Sequence, residues 1–202
     1  GDLFVALRGE RFDGHDLVGA ALAQGAAAAV VADERAAGMS GALIAVDDPL
    51  VALGRLAAHW RERFAIPLAV IVGSNGKTTV KEMTAAILRE AFGADAVLAT
   101  RGNLNNAIGL PLTLLRLEPA HRAAVIELGM NHRGETRELV AIARPTIVVV
   151  NNAQREHQEF MASVADVAAE HADAIAGLGP DGVAVLNADD AHAGTWRAAA
   201  QG

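Results

Sequence analysis

Seven consecutive residues combine glycines, an amide, hydroxyls and one lysine in an order suited to holding phosphate groups. They are Gly73, Ser74, Asn75, Gly76, Lys77, Thr78 and Thr79. An apolar run at residues 68–72 precedes them and an apolar-periodic segment follows from Val80, which predicts a strand, a turn and a helix N-terminus. The free N–H groups and the dipole of a helix N-terminus attract anions. We therefore expect Lys77 to neutralise the outer phosphates and the Thr78 hydroxyl to reach Mg²⁺.

The spacing of the two glycines departs from the usual P-loop. That motif has four residues between its glycines, whereas two residues separate Gly73 from Gly76. A glycine-rich turn at the start of an ordinary helix is the alternative interpretation. The Gly-Lys-Thr-Thr ending and the strand–turn–helix context favour the phosphate site.

A carboxylate at the end of a second apolar run is the natural partner for a metal ion. Glu127 follows Val125 and Ile126, and burying it without a partner would be costly. One Mg²⁺ shared by Thr78 and Glu127 would satisfy both side chains, and an ion pair with lysine or arginine is the alternative.

Amides and a histidine lie in two further loops. Asn103, Asn105 and Asn106 offer donors and acceptors within one turn, although such residues are also ordinary turn formers. His157 follows the apolar run at 146–150 and could ligate a second metal or hydrogen bond a phosphate. A surface histidine is the alternative.

The elements that would position these residues form two α/β units. In residues 1–65 we predict strands at 3–7, 28–31 and 42–46, a helix from Leu17, and a helix with Pro49 in its first turn. The inner face of the second helix is predicted to carry Leu53, Leu56, Trp60 and Phe64. The proline at position 67 then interrupts the helix, so we place the domain boundary at 65–66.

Residues 66–202 alternate strand and helix in the doubly wound manner. Strands are predicted at 68–72, 96–100, 123–128, 146–150 and 182–186, and helices starting near Lys77, Asn106, Arg133 and Ser163. Continuous apolar runs are typical of buried parallel strands, and ligands bind beyond the carboxyl ends of such strands. The loops at 73–79, 101–106, 127–132, 151–157 and 187–190 should therefore converge.

Composition excludes several classes of protein. The 202 residues are 52% hydrophobic, contain no cysteine and carry a net charge of −7. No apolar run reaches the ~18–20 residues of a membrane span, and no basic cluster suits nucleic acid. We expect a soluble cytoplasmic protein without disulfides; a monomer is the expected oligomeric state.

Three segments resemble the ATP-dependent Mur ligases: residues 73–83, 102–111 and 125–132. Residues 1–16 are similar to the uridine-nucleotide-binding N-terminal domain of that family. The likeness covers nearly the whole chain and implies that a C-terminal domain is absent, so that these residues alone would bind ATP or the UDP-sugar weakly and would not ligate. The runs at 80–83 and 127–132 favour the members that add a dipeptide.

The resemblance implies an amide-bond ligase of peptidoglycan precursor synthesis. ATP would phosphorylate the carboxylate of UDP-N-acetylmuramoyl-tripeptide, and the amine of D-alanyl-D-alanine would attack the acyl phosphate. It assigns Gly76, Lys77, Thr78 and Thr79 to the ATP phosphates, and Thr78 with Glu127 to one Mg²⁺. His157 matches a ligand of a second Mg²⁺, Asn152 matches an asparagine five residues earlier, and Asn103, Asn105 and Asn106 would face the reacting carboxylate or the γ-phosphate.

Two departures from the family concern the second metal. Members commonly carry a carbamylated lysine where this chain has His171, which also fits a packed helical face. The loop at 151–157 lacks the family's usual glycine. Alternatives are a diamino-acid-adding Mur ligase, a folylpolyglutamate-type ligase, or a P-loop switch or kinase; the last lacks a clear Asp-x-x-Gly motif here.

Overall fold

The computed structural model describes residues 1–9, 11–155 and 161–201, and it divides into two compact units. Unit 1 is Gly1–Leu56 and unit 2 is Ala57–Gly202. The division falls within one helix, Pro49–Arg61, nine residues before the boundary read from the sequence at 65–66. The boundary at 65–66 stays a prediction.

Unit 1 is built on a three-stranded parallel sheet in the order β1-β2-β3. Its elements are β1 (Leu3–Val5), a 3₁₀ turn (Gly14–Leu17), α1 (Val18–Ala23), β2 (Ala28–Ala32), α2 (Asp33–Ala36), β3 (Leu43–Val46) and the first part of α3 (Pro49–Arg61). The helix α3 begins as predicted, because Asp48 Oδ1 accepts hydrogen bonds from Leu50 N at 2.7 Å and Val51 N at 3.3 Å.

Unit 2 contains a five-stranded parallel sheet in the order β5-β6-β4-β7-β8. The strands are β4 (Leu68–Val72), β5 (Val97–Ala99), β6 (Ala123–Glu127), β7 (Ile147–Val150) and β8 (Val183–Leu186). The helices are α4 (Lys77–Phe92), α5 (Gly109–Leu114), α6 (Glu135–Ala143), α7 (Val164–Ala176) and α8 (Ala193–Ala199). The predicted class is confirmed: a small α/β unit precedes a doubly wound, parallel P-loop-type domain.

The central strand β4 determines where the loops meet. All five of its residues are buried, and it pairs with β6 on one side and β7 on the other. Ile71 lies opposite Glu127, and Val72 lies opposite Val150. The segments that follow β4, β6 and β7 therefore leave the sheet side by side.

The inner face of α3 differs from the sequence prediction at one position. Leu56 is 40% exposed, whereas Ala57 is fully buried. The buried stripe runs from Leu53 to Ala57, a spacing of four residues, so the small alanine takes the place we gave to leucine. Across the described ranges, no helix has both the length and the apolarity needed to cross a membrane.

Candidate functional site

The turn between β4 and α4 favours glycine at both of its ends. Gly73 has a φ of +143° and Gly76 a φ of +77°, a backbone conformation that side chains disfavour. A Cβ on Gly73 would lie 2.9 Å from Asn151 Cβ, which is too close for two carbon atoms that are not bonded to each other. The helix α4 begins directly after Gly76, so the two-residue spacing still delivers a helix N-terminus to the end of the central strand.

Asn152 fixes the curvature of this turn. The Asn152 backbone oxygen accepts from Ser74 N at 3.0 Å, and Asn152 Oδ1 accepts from Asn75 N at 3.0 Å. The Asn152 amide in turn donates to Asn75 O at 2.9 Å. The first backbone bond of α4 runs from Val80 N to Gly76 O at 2.9 Å, so the N–H groups of residues 77–79 have no acceptor within the helix. These groups form a cradle suited to an anion.

The ammonium of Lys77 lies at this cradle. Lys77 Nζ donates to Gly73 O at 2.5 Å and to Ser74 O at 3.2 Å. The charge therefore sits beside the turn, within reach of any anion that the helix N-terminus binds. The role of Lys77 toward phosphate groups stays a prediction.

Thr78 and Glu127 meet at the ends of adjacent strands. Thr78 Oγ1 donates to Glu127 Oε2 at 2.9 Å, and Glu127 is 3% exposed. Asn105 Nδ2 donates to Glu127 Oε1 at 2.9 Å. Within the described part of the chain, no lysine, arginine or histidine forms an ion pair with Glu127. Its buried charge thus has two neutral partners, and the alternative of an ion pair loses its support.

These side chains fit a magnesium ion that also binds phosphate. Mg²⁺ prefers oxygen ligands and usually combines one or two carboxylates with the phosphates of a substrate. Thr78 and Glu127 supply one hydroxyl and one carboxylate oxygen 2.9 Å apart. The described residues contain no cluster of three or more His, Asp or Glu side chains, so they offer no all-protein cage for a metal.

The three predicted asparagines have different positions. Asn105 contacts Glu127, and its backbone oxygen accepts from Gly129 N at 2.8 Å. Asn106 Oδ1 accepts from Gly109 N, at the first residue of α5, at 2.9 Å. Asn103 is exposed, and its backbone oxygen accepts from Asn105 N at 2.8 Å. The structure thus brings Asn105 to the site, while the roles of all three toward a ligand stay predictions.

Comparison with known proteins identifies the family. Residues 71–202 match the model of the Mur ligase middle domain, and residues 1–61 match the model described as Mur ligase family, catalytic domain. The chain belongs to the Mur ligase family. The resemblance read from the sequence is therefore confirmed.

Several curated relatives of this Mur ligase chain share one name. Proteins of Haemophilus influenzae and Escherichia coli named UDP-N-acetylmuramoyl-tripeptide--D-alanyl-D-alanine ligase are 44% and 45% identical to it over 96% and 98% of its length. Those matches cover 43% and 42% of the relatives. The chain thus spans less than half the length of the curated relatives it matches.

Solved structures of MurF have the same fold. The chain superposes over its whole length on MurF from Acinetobacter baumannii with a TM-score of 0.93 at 37% identity, covering 44% of that chain. It matches a Thermotoga maritima MurF ligase in complex with ADP with a TM-score of 0.89 at 31% identity, covering 45% of that chain.

The second metal site of this Mur ligase chain stays a prediction. His157 lies outside the described residues. His171 is 2% exposed on α7, with its ring centroid 6.4 Å from that of Trp196. The pKa of His171 is lowered to about 4, mainly by burial and in addition by the nearby charge of Lys77, while Asp190 opposes the shift. His171 is therefore neutral near pH 7.

The sequence did not single out three residues that shape the site. Asn151 Nδ2 donates to Asn75 O at 2.5 Å, and Gln154 Oε1 accepts from Asn75 Nδ2 at 2.7 Å. Thr100 Oγ1 accepts from Glu127 N at 3.0 Å. All three follow or end a predicted strand, so their position at the carboxyl edge of the sheet was the available signal.

Proposed function

We propose that this chain is the nucleotide-binding and carboxylate-activating part of an ATP-dependent ligase that joins D-alanyl-D-alanine to UDP-N-acetylmuramoyl-tripeptide. The observation that carries the proposal is the Thr78–Glu127 contact of 2.9 Å beside the helix N-terminus that Lys77 adjoins. The names of the relatives support the choice of substrates. Because ATP is a substrate of the proposed reaction, the proposal also places the protein in the cytoplasm.

In this proposal the cradle binds the phosphates of ATP. The N–H groups of residues 77–79 would donate to phosphate oxygens, and Lys77 would turn its ammonium to the outer phosphates. Thr78 and Glu127 would hold Mg²⁺, which supplies positive charge to the phosphate oxygens. Gly73, Ser74, Asn75 and Thr79 complete the turn around the phosphates, and Asn152 holds its shape.

The chemistry consists of two transfers. A carboxylate oxygen of the tripeptide attacks the terminal phosphorus of ATP, and the bond to the bridging oxygen breaks to release ADP. The dipeptide amine then attacks the acyl carbon, the carbon–oxygen bond to phosphate breaks, and the amine loses a proton. Lys77 stabilises the negative charge on the transferred phosphoryl group, which is the main demand of such a reaction.

Nucleotide binding by the chain itself tests the first half of the proposal. Isothermal titration should detect ADP binding that Mn²⁺ or Mg²⁺ strengthens. Glu127→Gln should weaken Mn²⁺ binding to the ADP-loaded chain at least tenfold and leave metal-free ADP binding within twofold. Glu90→Gln, which neutralises an exposed carboxylate on α4, is the control. Equal Mn²⁺ affinities for the Glu127 and Glu90 variants would contradict the assignment.

A chimera tests the substrates. In it, this chain replaces the matching segment of the Escherichia coli relative. The chimera should release phosphate from ATP when it receives UDP-N-acetylmuramoyl-tripeptide and D-alanyl-D-alanine, and should not respond to UDP-muramyl-dipeptide with a diamino acid. The opposite preference would favour the diamino-acid-adding ligase.

A further inference from the structure

One of the two lysines of this chain is buried on the helix that also carries Thr78. Only Lys77 and Lys81 are lysines among its 17 lysine and arginine residues. Lys81 lies one turn beyond Lys77 on α4 and is 1% exposed. A buried ammonium is costly unless its donors are satisfied, so its partners reveal why it is there.

The ammonium of Lys81 has one buried and one exposed partner. Lys81 Nζ donates to Thr100 O at 2.9 Å and to Glu82 Oε1 at 2.6 Å. The side chain of Glu82 is 56% exposed, whereas Thr100 is 1% exposed. The bond to Thr100 therefore joins α4 to the residue that follows β5, inside the protein.

Thr100 is hydrogen bonded both to Lys81 and to Glu127. Thr100 N donates to Val125 O at 3.1 Å, and Thr100 Oγ1 accepts from Glu127 N at 3.0 Å. Thr100 is thus bonded through its oxygen, its nitrogen and its hydroxyl. The helix α4 reaches Glu127 twice: directly from Thr78, and from Lys81 by way of Thr100. Thr78 and Lys81 are three residues apart, a spacing that places them on one face of a helix.

We propose that Lys81 is a positioning residue for Glu127. By fixing Thr100, it holds the backbone of Glu127 where the carboxylate meets the Thr78 hydroxyl and can share a metal with it. The proposal rests on the proposed function of that site. A lysine suits the position because its compact ammonium, at the end of one flexible alkyl chain, fits a small buried space. The guanidinium of an arginine is wider and planar.

Metal affinity is the measurement that separates this role from a structural one. Mn²⁺ binding to the ADP-saturated chain is followed by electron paramagnetic resonance. Lys81→Met should weaken Mn²⁺ binding about tenfold, since residues that orient a metal ligand have effects of that size, and should leave metal-free ADP binding within twofold. Thr100→Val should weaken Mn²⁺ binding by a similar factor. Thr100→Ser keeps the hydroxyl and should bind Mn²⁺ as tightly as the unaltered chain.

Two comparisons test the route through Thr100. In the Thr100→Val background, Lys81→Met should weaken Mn²⁺ binding by less than a further twofold. Glu82→Gln removes the charge of the exposed partner of the same ammonium, and it should leave Mn²⁺ affinity within twofold. Independent tenfold effects of the two substitutions would overturn the route, and unchanged affinity in Lys81→Met would overturn the proposal.

The outcomes also distinguish this proposal from the one on which it rests. If the unaltered chain binds no Mn²⁺ with ADP, the proposed function fails and this inference fails with it. If Lys81→Met does not fold, ¹⁵N-lysine labelling decides, because a chain with two lysines gives two Nζ signals. The Lys81 signal should move when Mg²⁺ joins ADP, and should not move in Thr100→Val. A signal indifferent to Mg²⁺ would overturn the proposal.

Discussion

At the scale of single residues, Lys77 places a positive charge beside the cradle. Its Nζ lies 2.5 Å from Gly73 O, and the second lysine of the chain is committed to Thr100 and Glu82. Lys77→Met should therefore cost about 2 kcal/mol of ADP binding, roughly thirtyfold in affinity, because a charge-assisted hydrogen bond is lost. Titration calorimetry measures this. Arg89→Met, which removes a cation later in the same helix, should change the affinity less than twofold; equal losses would contradict a specific role for Lys77.

His171 should make the stability of the fold depend on pH. The folded chain keeps His171 neutral down to about pH 4, whereas the unfolded chain protonates it near the ordinary histidine pKa of 6.5. Between these values the unfolded state binds more protons, so stability rises with pH from 4 to 6.5 and falls on acidification. The free energy of unfolding should change by up to about 3 kcal/mol across that window. Urea unfolding of the unaltered chain and of His171→Leu should give a difference that depends on pH, and parallel profiles would contradict this account.

At the scale of elements, the buried Arg61 joins the end of α3 to the end of α6. Arg61 Nε donates to Ala143 O at 3.2 Å, and Nη2 donates to Ile66 O and Arg144 O at 3.3 Å. Burial lowers the pKa of Arg61, and the charge of Arg144 adds to the shift. Four backbone carbonyls, including that of Phe64, satisfy this cation where a helix dipole is negative.

Arg61→Met should therefore destabilise the fold more than an ordinary surface change. Buried carbonyl oxygens would lose their donors, and we expect a loss of about 2–4 kcal/mol in the free energy of unfolding. Arg63→Met is the matched control, because that guanidinium lies over the Trp60 ring at 5.2 Å and should contribute less than about 1 kcal/mol. Chemical denaturation of both variants measures the difference. If Arg61→Met lowered the free energy of unfolding less than Arg63→Met, Arg61 would not be a stabilising link between α3 and α6.

The same elements show what the sequence can predict. Buried parallel strands are continuous apolar runs, so β4 was placed without error at Leu68–Val72. Ser163 was predicted near a helix start and caps α7. Asn106 was predicted near another helix start, and its Oδ1 accepts from the N–H of Gly109, the first residue of α5. The helix α8 was missed since its alanines, with Gly194 among them, show no apolar period.

Some contacts of the site could also be predicted from the sequence, and others could not. Glu127 and Thr78 both end or follow a strand in a doubly wound sheet, so the rule on carboxyl ends was enough to bring them together. The bond between Lys81 and Thr100 joins a side chain to a backbone carbonyl 19 residues away, and no pattern of residue types encodes it. A contact between a side chain and a backbone carbonyl cannot be predicted from residue types, because every residue has the same carbonyl group.

At the scale of the whole molecule, a protein with a net charge of −7 presents a site for an anion. The attraction must therefore be local, and the structure supplies it from the first turn of α4 and Lys77, all within unit 2. The helix α3 continues through the division between the two units, and an unbroken helix leaves no composition signal there. The proposed nucleotide site thus consists of elements that all belong to unit 2.

A chain of residues 48–202 should consequently fold and bind Mg²⁺-ADP by itself. It keeps Asp48, which caps α3, and the buried residues of unit 2 from Ala57 onward. Trp60 Nε1 donates to Leu117 O at 3.0 Å, which holds the end of α3 to unit 2. We expect one cooperative unfolding transition and an ADP affinity within twofold of that of residues 1–202. The same shortened chain with Lys77→Met is the control for binding, and a non-cooperative transition or lost ADP binding would show that unit 2 needs unit 1.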